Sequence, residues 1–439
     1  MISVALRNLR HRPGGFIATF LTAFLGATLL MAFASLLDTA QAADSASAES
    51  LSTTASVGGG WCLVIVAFAV TSTLSLAVRQ RAGQITLLRR VGATGRQLRR
   101  MIVGEAAAVA LVAATVAIPF GLALGRVLLE LLRNTGQAAS SVDYVFGPIA
   151  FGVGFGVTLL GSVIAGVATA RRTAAPLGAR PARPRLRRIA AVLFLAIGAN
   201  CSVLTATLMD GKGIDAMQTA GQAGIWAAIG LALLAPELLR LVTAVLGAPV
   251  RALGVAGELA VLTVHSRARQ LAGTVMPVLI FTGVATGTVY MQAIENAASA
   301  GQVEPDYAQD VKTLNYVVVG MITLFVAIML INTLIAATVR RRQEFAQQRL
   351  AGATRGQLFA MVGIEGLLVT VTGALGGTAA AMFTILPFGS ARADRIWPDE
   401  SPAAYVLILA VAVALTAAAM LGATRRSVQG PATEVVRAA

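Results

Sequence analysis

The sequence predicts an all-α polytopic membrane protein of about ten transmembrane helices, arranged four, two and four around an internal repeat, without a large extracytoplasmic domain. Three observations lead there. Of 439 residues, 56% are hydrophobic and only 13% charged, about half the charge of an ordinary soluble domain. Apolar runs of roughly 20 residues, enough to cross a hydrocarbon core, recur along the chain. The connections between them alternate between arginine-rich and acid-rich.

In order, the runs fall at 16–37, 59–78, 101–125, 147–170, 188–209, 222–246, 270–293, 314–338, 360–386 and 403–423. Arginines cluster before the first (Arg7, Arg10, Arg12), after the second (Arg89, Arg90, Arg96), fourth (Arg171, Arg172, Arg183), sixth (Arg251, Arg267) and eighth (Arg340, Arg341, Arg342), and at the end (Arg425, Arg426). The other connections hold Asp38, Asp44, Asp143, Asp210, Asp306, Asp310 and Asp399. By the positive-inside rule both termini and every arginine-rich connection are cytoplasmic. The net charge of +15 is explained by this placement, and nucleic acid is not expected as a partner. The start resembles a secretory signal ending at Ala40-Gln41-Ala42, but the run from Phe16 to Leu37 exceeds the usual signal core; a retained span is expected.

Two units bracket a linker. Residues 1–178 form a first four-helix unit ending at Arg171-Arg172 before Pro176; residues 251–439 form a second, ending at Arg425-Arg426 before Pro431. Between them, 179–250 holds a basic, proline-rich stretch (Arg180-Pro181-Ala182-Arg183-Pro184-Arg185) and a two-helix hairpin. The hairpin is expected to tie the units together, with a lateral docking surface as the alternative. Gly152, Gly154, Gly156 and Gly161 in the fourth run suit close helix packing, with a dimer face as the other option. Pro119, Pro277 and Pro387 are expected to kink or end their helices. Arg126 with Glu130, and Glu237 with Arg240, have the spacing of local ion pairs. Cys62 and Cys201 read as small buried apolar residues, and His11 and His265 as headgroup-facing.

The repeat is the strongest local signal. At one constant offset Arg81 matches Arg341, Arg89 matches Arg349, and Gly92-Ala93-Thr94 matches Gly352-Ala353-Thr354. The register continues through Gln97 and Gln357, Leu98 and Leu358, Met101 and Met361, and Glu105 and Glu365. Thr94 with Gln97, and Thr354 with Gln357, have capping-box spacing; Gly92 and Gly352 stand where a preceding helix needs a left-handed exit. Each copy reads as helix, tight turn, helix: a rigid elbow at a membrane face. Glu105 and Glu365, early in the helices that follow, complement the helix dipole and are placed to pair with an elbow arginine. A proton relay is the alternative for such acids.

The pattern Arg-x-x-Glu-(apolar)-Ala-x-x-Arg-x-x-Gly-Ala-Thr-x-x-Gln, complete from Arg341 onward, resembles the signature of FtsX-like (MacB-type) permeases of ABC transporters. The first copy departs from it with Gln84 opposite Glu344 and Thr86 opposite Ala346, so the two elbows are not expected to be equivalent. The resemblance covers both four-helix units and not the middle of the chain. It implies a permease subunit whose ATP and Mg belong to a separate cytoplasmic ATPase, about two ATPase subunits per chain. These would grip Arg81, Gln84, Arg89, Gly92, Ala93, Thr94 and Gln97 in one elbow. In the other they would grip Arg341, Glu344, Arg349, Gly352, Ala353, Thr354 and Gln357. The transported class would be a hydrophobic or amphipathic molecule (drug, antibiotic, lipid or lipopeptide), exported or extracted from the bilayer. Mechanical signalling without transport is the rival within the class, and an ion-coupled secondary transporter the rival outside it.

On this chain itself no catalytic residue, cofactor or metal site is expected. The only lysines, Lys212 and Lys312, lie in outer connections, so no P-loop can form. The outer connections near 38–58 and 294–313 are too short for a folded domain. Abundant alanine and arginine with two lysines fit a GC-rich bacterium, and the expected location is a bacterial inner or plasma membrane, in contact with lipid.

Overall fold

A computed structural model describes residues 17–80, 87, 91–173, 184–209, 214–299, 308–339, 341–393 and 401–429. The protein is an all-α membrane protein. Among the described residues there are twelve helices: α1 Ile17–Ala40, α2 Ser45–Gln80, α3 Gly95–Asn134, α4 Pro148–Thr173, α5 Pro184–Leu208, α6 Ile214–Leu233, α7 Ala235–Arg251, α8 Val255–Ser299, α9 Ala308–Val339, α10 Arg342–Leu350, α11 Arg355–Ala393 and α12 Ala403–Val428. Eight are long and apolar enough to cross a membrane, nine if the bent pair α6 and α7 is taken as one span. The run expected at 314–338 is represented by a shorter apolar stretch, Val319–Ile335, within α9.

The chain divides into two compact units, residues 1–182 with 301–325, and residues 183–300 with 326–439. In the first, α1 packs on α2, α3 and α4, and α3 on α4. The seam is made by small residues. Met31 of α1 sits so close to Gly121 of α3 and Gly154 of α4 that a Cβ on either would lie 2.8 or 2.3 Å from its side chain. Ala27, Met31, Ala114 and Ala117 form the buried core of this contact. Gly154 therefore packs as expected. Gly152, Gly156 and Gly161 do not: nothing stands within 4 Å of where their Cβ atoms would be; Gly152 and Gly156, one turn apart, share a face that Gly154 does not.

The end of this unit where α1 meets the start of α4 is closed by Asp38. Its carboxylate accepts backbone N–H bonds from Gly147 (3.1 Å), Ile149 (3.0 Å) and Ala150 (2.8 Å) at the start of α4. An acid at a helix N-terminus satisfies orphan donors and meets the positive end of the dipole. Next to it, Thr39 Oγ1 accepts from Val145 N at 3.2 Å, and Tyr144 OH donates to Ser35 Oγ at 3.0 Å. The pair expected between Arg126 and Glu130 is not formed. Glu130 pairs with Arg133 at 3.2 Å, while the Arg126 guanidinium lies 5.7 Å from the Tyr144 ring centroid. The Tyr144 ring offers the Arg126 guanidinium a cation–π partner in place of the exposed Glu130.

In the second unit α8 packs on α11, and both pack on α12, repeating the α1, α3, α4 pattern. Here too glycines set the approach: a Cβ on Gly377 of α11 would lie 2.7 Å from Leu279 O and 2.8 Å from Gly283 N of α8. Where α8 and α11 end, Arg392 binds Glu295 through two bonds of 2.8 and 2.9 Å. The inserted helices α5, α6 and α7 pack on the same two helices, α5 beside α11, and α6 and α7 beside both α8 and α11.

The run expected at 222–246 is not one straight helix. α6 stops at Leu233 and α7 leaves at 70°, with Pro236 in its first turn and no side-chain cap on Leu234. Glu237 does not pair with Arg240. It accepts from Arg187, and lies 3.5 Å from Arg188, at the start of α5; the bend turns Glu237 toward α5 and leaves Arg240 exposed. Pro119, Pro277 and Pro387 do not end their helices; the non-helical residue inside α8 is Arg267 (φ −117, ψ 20). Cys62 is buried and Cys201 half-buried, both as free thiols. His265 is exposed; His11 lies outside the described residues.

Candidate functional site

The second elbow is described almost in full. α10 ends in a left-handed turn: Gly352 has φ 98, Ala353 N donates to Gln348 O at 3.0 Å and Gly352 N to Arg349 O at 3.1 Å. This pair of bonds ties off the last carbonyls of the helix. Two residues on, Thr354 starts α11 with a capping box. Gln357 N donates to Thr354 Oγ1 at 3.2 Å, and Thr354 N to Gln357 Oε1 at 2.9 Å.

The first elbow has the same geometry where it is described. Gly92 has φ 99; Gln97 N donates to Thr94 Oγ1 at 3.3 Å, and Thr94 N to Gln97 Oε1 at 2.9 Å. Ala93 packs against a core of Leu98, Ile102 and Ala106 of α3 and Ala165 of α4. Arg81, Gln84 and Arg89 lie outside the described residues. Glu105 is buried and engaged in interactions.

Beneath the second elbow lies a chain of charges. Arg341, the residue preceding α10, binds the fully buried Glu365 of α11 through both terminal nitrogens, one bond being 3.2 Å. Its Nε reaches Glu344 Oε2 at 3.3 Å, and its guanidinium lies 5.1 Å from the ring centroid of the buried Phe345. Glu344 in turn meets Arg267 Nη1 at 2.5 Å, at the break in α8. Burial opposes the charge on Arg341, but Glu365 and Glu344 outweigh it and hold the guanidinium above its ordinary range. Arg349 reaches the far side, donating to Val428 O at the end of α12 at 3.0 Å.

Of the motif residues, Arg341, Glu344 and Arg349 are thus turned to the protein's own α8, α11 and α12. The surface left free consists of Gly352, Thr354, Arg355 and Gln357, with Gln343, Gln347 and the 54% exposed Leu350 on α10. The first elbow presents Gly92, Thr94, Gln97 and Val91, the last 87% exposed. Each elbow therefore offers an apolar tip beside capped polar backbone, on a helix that continues into the membrane-spanning bundle. Such a surface suits docking and the transmission of force. Arg267 is the member the motif did not reveal; its only signal in sequence is its place just before a long apolar run.

The model for the FtsX-like permease C-terminal region matches residues 56–175 and 316–432. Each match contains one elbow, and the central residues 176–315 are unmatched. No curated protein matches the chain.

Proposed function

Because the chain belongs to the FtsX-like permease family, the membrane-spanning subunits of ABC transporters, we propose that it couples ATP hydrolysis by a separate cytoplasmic ATPase to export or extraction of a hydrophobic or amphipathic substrate. The observation that carries this reading is the likeness of the two elbows, with φ of 99 and 98 at Gly92 and Gly352 and the same reciprocal capping bonds. Anchoring to headgroups needs arginines alone; it needs no repeated left-handed glycine followed by a capped helix. In this reading both termini and both elbows face the cytoplasm, as the arginine distribution favours.

A MacB-type action is favoured by the ion-paired second elbow. Motion imposed on α10 would pass through Arg341 to α11 and through Glu344 to α8. Residues 41–44 are all that separate α1 from α2, so the substrate would be met in the bilayer or at its outer surface. One chain carries two elbows, so one permease would serve two ATPase subunits. Native mass spectrometry of the complex isolated from its own host tests this: one copy of this chain with two ATPase subunits is expected. Two copies of the chain per ATPase pair, or a chain that isolates without any ATPase, would contradict it.

A further inference from the structure

The inserted segment carries a surface with no neighbour among the described residues of its unit. α7 and the opening of α8, up to the break at Arg267, form a helical hairpin joined at Gly254. One face of α7, with Leu239, Thr243, Gly247 and Val250, is buried where the helix packs on α8 and α11, Gly247 facing Val261 of α8. The other exposes Leu241 at 63% and Val245 at 69%, and the run continues through Leu253 and Val255 to Leu259 and Leu262. Water is a costly neighbour for so much apolar side chain.

Both roots of this hairpin are fixed to one face of the membrane. α5 begins a span at Arg185, and Glu237, in the first turn of α7, is paired with Arg187 and Arg188 at that same end. The chain has therefore already returned across the bilayer by Glu237, which the 20 residues of α6 are long enough to achieve. At the other root Arg267 is held by Glu344 of the second elbow, and the next span begins only at Leu271. Everything from Glu237 to Arg267 then stays on the elbow side. The 70° bend between α6 and α7 is what turns the chain out of the spanning direction.

We propose that this hairpin lies in the plane of the elbow-side leaflet, with Leu241, Val245, Leu259 and Leu262 sunk into the boundary between headgroups and acyl chains. The partner is the lipid surface itself. Exposed Arg240 and Arg251 flank the apolar stripe of α7 and reach headgroup phosphates, as cations beside an in-plane apolar face do. Through Arg267 and Glu344 the hairpin also gives the second elbow a direct tie to the leaflet. The inference rests on the membrane character of the helices; it is independent of any ATPase and of which face is cytoplasmic.

The test is site-directed spin labelling of the full chain in lipid nanodiscs, after Cys62→Ala and Cys201→Ala. Labels are placed singly at Leu241→Cys, Val245→Cys and Leu262→Cys, with Leu193→Cys in the middle of α5 and Gln347→Cys on the elbow as references. Power saturation with oxygen and with a water-soluble nickel chelate reads depth. The hairpin labels are expected to favour oxygen and to lie about 5–10 Å below the phosphates, shallower than the label at Leu193. Three results would overturn the proposal: nickel accessibility matching Gln347, which means an aqueous surface; depth matching Leu193, which makes α7 part of a broken span; or shielding from both reagents, which means a protein partner or a second copy covers it.

Discussion

Arg341 and Glu365 form a bidentate pair in which the carboxylate is completely buried. Arg341 stands at the start of α10 and Glu365 within α11, so their contact, beside that of Gln348 Nε2 with Met361 Sδ, fastens the elbow helix to the spanning helix. Removing one partner of a buried pair strands the other charge, at a cost of about 3–5 kcal/mol. Glu365→Gln is expected to lower thermal stability by that order, and Arg341→Lys to rescue little because an ammonium cannot bind both oxygens in a fork. Thermal unfolding in detergent reads both. Glu365→Gln with unchanged stability would contradict the assignment.

Glu344 behaves differently because its side chain and that of Arg267 remain partly exposed, at 34% and 43%. Pairs in such surroundings contribute about 0–1 kcal/mol to stability. Glu344→Gln should therefore leave unfolding nearly unchanged yet reduce ATP hydrolysis by the reconstituted complex severalfold, since it loosens α10 from α8. Gln84→Ala, at the equivalent place in the first elbow, should reduce it only mildly. Equal losses at the two positions would remove the mechanical asymmetry.

Gly352 has φ 98 and nothing within 4 Å of its missing Cβ, so substitution there acts on the backbone alone. Gly352→Asn is expected to be tolerated, because asparagine enters the left-handed region readily, whereas Gly352→Val should cost about 1–2 kcal/mol in stability. The measurement is a shift in unfolding midpoint, and Gly92 should show the same order. Valine and asparagine behaving alike would mean the turn relaxes.

Asp38→Ala leaves three N–H groups at the start of α4 without their acceptor. A loss of about 2 kcal/mol is expected, from the cap and the dipole together, with Asp38→Asn losing less. Glu49→Ala, on the exposed side of α2, serves as the neutral control. Equal melting points for Asp38→Ala and the control would refute the capping role.

Features whose cause is local were legible in the sequence. The left-handed glycines and the capping boxes involve partners within a few residues, so spacing alone identifies them. Ion-pair partners were not legible where packing chose them. Arg126 and Glu130 have helical spacing, but Glu130 takes Arg133, three residues on, and Arg126 lies over the Tyr144 ring, which the chain brings back after α3. The broken sixth run did carry a local sign, since Pro236 followed by Glu237 reads as a helix start, but it lay inside an apolar stretch of spanning length. Likewise the eye-catching Gly152 and Gly156 face open space, while Gly121, Gly154 and Gly377 make the close approaches. Which glycine stripe packs depends on helix rotation, and the sequence of one helix does not encode its neighbours.

If an ATPase grips the chain at its two elbows, their exposed side chains lie against it in the assembled transporter. A photo-crosslinking amino acid at Leu87, Gln347 or Leu350, exposed positions on the elbow helices, tests it in the native host, with Ala46 at the opposite end of the first unit as control. The account predicts a crosslinked product containing an ABC ATPase from all three elbow positions and none from Ala46. An absence of ATPase at every elbow position, or a product from Ala46 alone, would contradict it.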